Sequence, residues 1–153
     1  MDDAVVRSLA KWPSVPAVYG WLSLDRRGNW LIKGERIGNA ALKEFIARNY
    51  EPDARGRWFF QNGPQRVYVR LAYTPLVVHF DGHDALMDHC GRPFVGTETF
   101  LDDEGSVLMA GNGTVALMDD RDLARFADDG DRLPRIARED VAKRYAFDPD
   151  PAP

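Results

Sequence analysis

The sequence lacks several features that would identify whole classes of protein. It has one cysteine, Cys90, in 153 residues, so an intrachain disulfide is impossible. No apolar run approaches the roughly 18 residues that a membrane-spanning helix needs. The first residues carry acidic side chains where a secretion signal has a basic segment. These absences predict a cytoplasmic protein that does not bind or cross a membrane.

An excess of positive charge is also missing. The 20 lysines and arginines are outnumbered by 24 acidic residues, which gives a net charge of -4 and a pI of about 5.3. Such a chain has no long-range positive field to attract a phosphate backbone. We therefore expect no nucleic-acid partner.

Short motifs of known reactions are absent as well. The sequence contains no Gly-x-Ser-x-Gly, no His-Glu-x-x-His and no phosphate-binding glycine loop followed by Lys-Ser/Thr. The acidic runs at 102–104 and 119–122 fit a hairpin turn and a helix start better than an acid–base pair. The sequence favours a protein without catalysis, although it does not exclude an enzyme.

What is present begins with a hairpin that leads into a helix. Strand-forming residues at 19–24 and 30–32 flank a turn that ends at Gly28, which predicts a β-hairpin. Asn39 then precedes a segment in which Leu42, Phe45 and Ile46 fall on one side. This spacing predicts an amphipathic helix capped by Asn39.

A similar order of residues follows downstream. Aligning Gly28 with Gly105 also places Asp25 on Asp102, and Leu123 and Phe126 repeat the Leu-x-x-Phe spacing of the first helix. We predict a single α+β domain over 1–147, built of antiparallel β-hairpins with helices packed on one side. It would contain two repeated hairpin–helix units, at 17–80 and 97–130.

Four other segments also have a predicted structure. Asp3 can cap a helix that ends before Pro13, and 138–147 has the spacing of a last helix. The alternation over 66–73 predicts a strand with Val67, Val69 and Leu71 on its inner face. The proline-rich end, 148–153, predicts a disordered tail.

One stretch of the sequence resembles known protein families. The order Gly28-x-Trp30, Gly34-x-x-Ile37 and Leu42-x-x-Phe45, followed by an aromatic strand and Thr74-Pro75, is similar to uncharacterised bacterial families of unknown function. In one of these families the fold consists of repeated α+β motifs and a signalling role has been suggested. The resemblance covers about 19–80 and implies a fold with a regulatory setting. It departs at Arg70-Leu-Ala-Tyr73, where that family has acidic residues.

A candidate metal site lies in one short segment. It contains all three histidines and the cysteine, namely His79, His83, His89 and Cys90. Four imidazole or thiolate donors are enough for a tetrahedral zinc shell. The spacing matches no known ligand pattern, and the simpler interpretation is an exposed His79, a turn at His83 and a small buried Cys90.

A candidate ligand site lies on the opposite face of the strand at 66–73. Arg66, Tyr68 and Arg70 alternate with its apolar residues, so two guanidinium groups flank a phenol. Such a group can bind a carboxylate or phosphate with paired hydrogen bonds. The simpler interpretation is a solvent-exposed face on which the arginines cover Tyr68.

These observations favour a non-catalytic domain that binds a small anionic ligand or a protein partner, in a regulatory or signalling setting and without a cofactor. The alternative is a metal-binding protein or metal-dependent enzyme that holds zinc between His79 and Cys90. The oligomeric state and the identity of the ligand are left open.

Overall fold

A computed structural model of the chain describes residues 12–126 and 130–153. They form two compact units: unit 1 holds residues 12–25, 29–72 and 148–153, and unit 2 holds residues 26–28 and 73–147, in each case within the described part. The predicted helix capped by Asp3 lies outside the described residues. Within those residues, no helix combines the length and the apolar character that passage through a bilayer requires.

Among its described residues, unit 1 contains one six-stranded sheet and one α-helix. The order across the sheet is β3-β2-β1-β6-β5-β4. The elements of this unit are β1 Ala17–Leu24, β2 Trp30–Ile32, β3 Glu35–Arg36, α1 Ala40–Arg48, β4 Tyr50–Pro52, β5 Trp58–Asn62 and β6 Gln65–Leu71.

The helix of unit 1 forms where the sequence predicts it. Asn39 caps α1, because its side-chain oxygen accepts a 2.9 Å hydrogen bond from the Leu42 amide. Leu42 and Ile46 are buried one turn apart, and each contributes about 1.5–3 kcal/mol by leaving water. The ring of Phe45 meets Phe60 of β5 edge-on at 5.5 Å. The capping residue and the inner face of α1 are therefore confirmed.

Unit 2 contains a seven-stranded sheet in the order β13-β10-β11-β12-β7-β8-β9. Its strands are β7 Leu76–Phe80, β8 Leu86–Asp88, β9 Pro93–Phe94, β10 Gly96–Asp102, β11 Val107–Gly111, β12 Thr114–Met118 and β13 Arg135–Ile136. Its helices are the 3-10 segments Asp120–Phe126 and Gly130–Arg132 and the helix α2 Arg138–Arg144. All five residues of β12 are buried, so this strand lies in the core of the unit.

Both sheets are mixed, and the predicted α+β arrangement of antiparallel hairpins with helices on one side is wrong. β1 runs parallel to β6, β12 runs parallel to β7, and β10 runs parallel to β13. Hairpin signals are local in sequence, whereas a parallel pair joins segments far apart and leaves no turn to detect. Strand is the main regular structure of the described residues.

In the part of the chain that the structure describes, one turn occurs four times, with the sequence Asp-x-x-Gly-x. In each case the aspartate amide donates to the carbonyl four residues on, and the aspartate Oδ1 accepts from the amide of that same residue. The glycine has a left-handed φ between 76° and 84°, which favours glycine over other residues. The four turns cover 25–29, 53–57, 88–92 and 102–106.

This shared turn explains the apparent internal repeat. The alignment of Asp25 with Asp102 and of their glycines marks two copies of one turn. The predicted second hairpin–helix unit is not confirmed, because β12 follows the hairpin and the segment after it, Asp120–Phe126, is a 3-10 helix with no buried residue. Leu123 and Phe126 are accordingly only half-buried.

The last residues, 148–153, pack against the rest of unit 1, and the prediction of a disordered tail is wrong. The Leu71 amide donates to the carbonyl of Pro149 at 2.8 Å, and Arg57 and Asp148 form a parallel β-bridge. Pro151 is buried. Backbone groups at the end of β6 and before β5 thus find partners in residues that have little local structure of their own.

Candidate functional site

A polar cleft of about 500 Å³ lies in unit 2. We call it the histidine cleft, and its polar lining consists of Arg27, His79, His89, Asp119, Arg121 and Asp122. These side chains come from the turn tip at 26–28, from β7, from the residue after β8 and from the segment after β12. Four separate stretches of sequence therefore build one site.

The pairing of β7 with β8 brings two of the predicted residues together. Val78 lies opposite Asp88 and His79 opposite Met87, so His89 comes to lie beside Val77. The Val77 amide donates a 3.1 Å hydrogen bond to Nδ1 of His89. With Nδ1 acting as an acceptor, the neutral ring carries its proton on Nε2. His79 and His89 are diagonal neighbours, about 7–8 Å apart at their backbones.

Gly28 allows the turn tip to approach His89. A Cβ atom at this position would lie 2.6 Å from the Cβ of His89 and 3.6 Å from that of Val77, and φ is +83°. Only glycine fits both the conformation and the space. The contact places the neighbouring Arg27 at the cleft.

The acidic residues of the cleft are held from within the protein. Asp119 accepts hydrogen bonds from Nε of Arg121 at 3.0 Å and from Nη2 at 2.5 Å, which is a bidentate pair. The Arg121 side chain is the main cause that lowers the pKa of Asp119, and burial opposes it. Asp122 accepts a 3.1 Å hydrogen bond from the Phe80 amide. Both carboxylates are therefore hydrogen-bond acceptors already engaged in the structure.

The basic residues, in contrast, face outward. The side chain of Asp119 is 4% exposed, whereas that of Arg121 is 68% exposed. Arg27 is 57% exposed and pairs with the equally exposed Asp120 at 3.1 Å, an arrangement that solvent weakens. The cleft thus buries the Asp119 carboxylate and presents hydrogen-bond donors.

The other predicted metal ligands lie elsewhere. His83 is exposed in the turn after β7, where its amide donates to Asp81. Cys90 belongs to the turn at 88–92, and burial, followed by the nearby Asp88 charge, raises the pKa of its thiol to about 12. Within 12–126 and 130–153, no three His, Cys, Asp or Glu side chains are placed to hold a metal ion. The structure thus unites His79 with His89 and separates His83 and Cys90 from them.

The predicted ligand site Arg66, Tyr68 and Arg70 lies on one face of β6 in unit 1. Tyr68 is buried beneath Tyr19, with parallel rings 4.8 Å apart, and its hydroxyl donates to Asp53 at 3.2 Å.

The two arginines of this face already have partners. Arg66 lies over the Phe59 ring at 4.3 Å, and Arg70 pairs with Asp150 at 3.0 Å. The geometry therefore gives these three residues contacts within the protein, and their role in ligand binding stays a prediction.

Sequence reasoning missed the residues that complete the histidine cleft. The sequence favours a helix start for Asp119 and Asp122, and no motif marks Arg121 between them. The one available signal was the recurring Asp-x-x-Gly turn, which marks Arg27 and Gly28 as a hairpin tip. That signal does not predict which strand the hairpin tip contacts.

Comparison with known proteins gives a family and two related folds. A family model described as "Protein of unknown function (DUF2946)" matches residues 1–152. A crystal structure of a DUF1285 family protein from Silicibacter pomeroyi DSS-3 aligns with a TM-score of 0.57 at 16% identity, covering 84% of this chain and 85% of that one. A DUF1285 family protein from Shewanella baltica OS155 aligns with a TM-score of 0.50 at 15% identity, covering 70% and 90%. No curated protein matches. At these identities the two structures show similarity of fold alone.

Proposed function

The chain belongs to the family of proteins of unknown function DUF2946, and from this premise we propose that it is a non-catalytic binding domain whose histidine cleft holds a small anion. The ligand class is a phosphate or a small carboxylate. The observation that carries the proposal is the contrast between Asp119, which is buried and paired, and Arg121, which is bound to it but exposed.

The donors of the cleft suit an oxyanion. The guanidinium of Arg121 is oriented by its bidentate pair with Asp119, so little side-chain entropy is lost when a ligand binds. His79 is exposed on the same face of β7 as Val77 and adds an imidazole. Charge-assisted hydrogen bonds of this kind contribute about 1.5–3 kcal/mol each.

The regulatory role implied by the sequence resemblance is part of this proposal. Arg27 lies in the turn tip and pairs with Asp120, the first residue of the 3-10 segment. An anion that contacts Arg27 and Arg121 competes with Asp120 for Arg27. Binding would therefore change the contact between the tip and the segment, and a partner could detect that change.

The proposal is tested by calorimetric titration of the purified full chain with inorganic phosphate and with succinate. We expect saturable binding of one of them that weakens as salt is added. Arg27→Gln and Arg121→Gln should each weaken binding about tenfold. Arg135→Gln removes an equal charge at the exposed residue of β13 in the same unit, and it should leave the affinity unchanged.

Two results would overturn the proposal. One is equal loss of affinity in Arg135→Gln, because the effect would then reflect overall charge. The other is no binding of either anion together with stoichiometric zinc binding that His79→Ala abolishes, which would favour the metal-binding alternative.

A further inference from the structure

A second cavity, of about 600 Å³, lies in unit 1. Its volume is within the range of about 300–1,000 Å³ that is typical of small-molecule sites. The residues that matter for its chemistry are Trp21, Ile32, Lys33, Arg36, Ile37 and Leu42. It is a separate site from the histidine cleft and does not depend on the function proposed above.

The floor of this cavity is apolar and fixed by the core. Ile37 and Leu42 are 7% and 2% exposed, and the half-buried Trp21 packs against the buried Trp12 with ring centroids 6.4 Å apart. Because these side chains are already ordered, an apolar ligand would not have to organise them.

A basic group is held at the aromatic part of the cavity. Nζ of Lys33 lies 3.9 Å from the centroid of the Trp21 ring. Lys33 also has a left-handed φ of 49°, which is uncommon for a residue with a side chain. Its amide donates to the Trp21 carbonyl at 2.9 Å, so backbone and side chain both join Lys33 to Trp21.

The charge of the rim complements an anion. Lys33 and Arg36 are exposed and positive, and Glu35 between them is negative, which leaves a net charge of +1 for the three. We propose that this cavity binds a small aromatic carboxylate. Its ring lies against Trp21, Ile37 and Leu42, and its carboxylate pairs with Lys33 and Arg36.

The test compares two ligands of equal shape in an NMR titration that follows backbone amide shifts. Cinnamate carries the carboxylate, and cinnamyl alcohol does not. We expect cinnamate to shift the amides around Trp21 and Ile37 and to bind about tenfold more tightly than the alcohol, which corresponds to one charge-assisted pair. Octanoate tests whether the apolar body must be aromatic and should bind more weakly than cinnamate.

The variants test whether Lys33 and Arg36 bind the carboxylate directly or act only through the overall charge. Arg36→Gln should weaken cinnamate binding about tenfold. Lys33→Gly should do the same without unfolding the chain, because glycine adopts a φ of 49° freely. Arg55→Gln removes an exposed charge elsewhere in unit 1 and should change nothing. Equal affinity for cinnamate and its alcohol, tighter binding of octanoate, or unchanged binding in both Arg36→Gln and Lys33→Gly would each overturn the proposal.

Discussion

The hydroxyl of Tyr73 donates a 2.7 Å hydrogen bond to Oδ2 of Asp102, and both side chains are buried. The other oxygen of Asp102 accepts from the amides of Glu104 and Ser106 in the turn at 102–106. The guanidinium of Arg138 lies 5.0 Å from the Tyr73 ring centroid. A single phenol thus joins the start of unit 2 to the turn of its central hairpin.

Replacing Tyr73 by phenylalanine should destabilise the protein by about 1–3 kcal/mol, because the buried Asp102 loses a hydrogen-bond partner. Burial, and then the hydrogen bond to Asp102, raise the pKa of Tyr73 above its ordinary value, so the hydroxyl stays a donor in neutral solution. Urea denaturation measures the change. Tyr145→Phe is the matched control, because that ring packs on Phe100 and its loss of a hydroxyl should cost less. Equal effects of the two variants would contradict this role of Tyr73.

Gly28→Ala should cost more stability than Gly105→Ala, although both glycines occupy the same position of the recurring turn. Their φ angles are 83° and 84°, so both variants bear the left-handed penalty of about 1–2 kcal/mol. A Cβ at Gly28 would also lie 2.6 Å from His89, whereas the space at Gly105 is open. Overpacking should add about 1–3 kcal/mol to Gly28→Ala. Equal thermal shifts for the two variants would show that the tip does not contact His89.

Because of the pair of Asp119 and Arg121, the stability of the protein should fall as the pH is lowered in the acid range. The pKa of Asp119 is lowered in the folded state, so its contribution is present above the unfolded pKa of about 3.9 and is lost as pH falls through the folded pKa. Arg121→Gln should therefore lower the urea midpoint at neutral pH, and the difference from the parent protein should vanish in strong acid. Arg135→Gln should show no such pH dependence. If the difference in urea midpoint between Arg121→Gln and the parent protein grew as pH fell, the prediction would be contradicted.

Cys90 should react slowly with iodoacetamide while the protein is folded. Burial, and secondarily the charge of Asp88, raise the pKa of the thiol to about 12, and the thiolate is the reactive form. At pH 8 the thiolate fraction should be roughly a thousandfold smaller than in unfolded chain. Alkylation in urea provides the reference rate. Equal rates in folded and unfolded protein would contradict the raised pKa.

Much of the local structure could be predicted from the sequence. The strand at 30–32 and the capped helix after Asn39 agree with the structure, because alternation, turn residues and capping act between near neighbours. The turns also follow from local chemistry, since an aspartate and a glycine three positions later satisfy the same amides wherever they occur. The same locality made two turns look like a repeated unit.

The sequence by itself determined the strand at 30–32, several turns and the capped helix after Asn39. It also determined which charges are available, and that a lone cysteine cannot form an intrachain bridge. Only the tertiary structure decided that β1 lies beside β6 and β7 beside β12, and that Arg27, His89 and Arg121 line one cleft. The reason is physical. Propensity and periodicity describe interactions over a few residues, whereas parallel pairing and a shared cleft depend on which distant surfaces bury each other, and no short stretch of sequence carries that information.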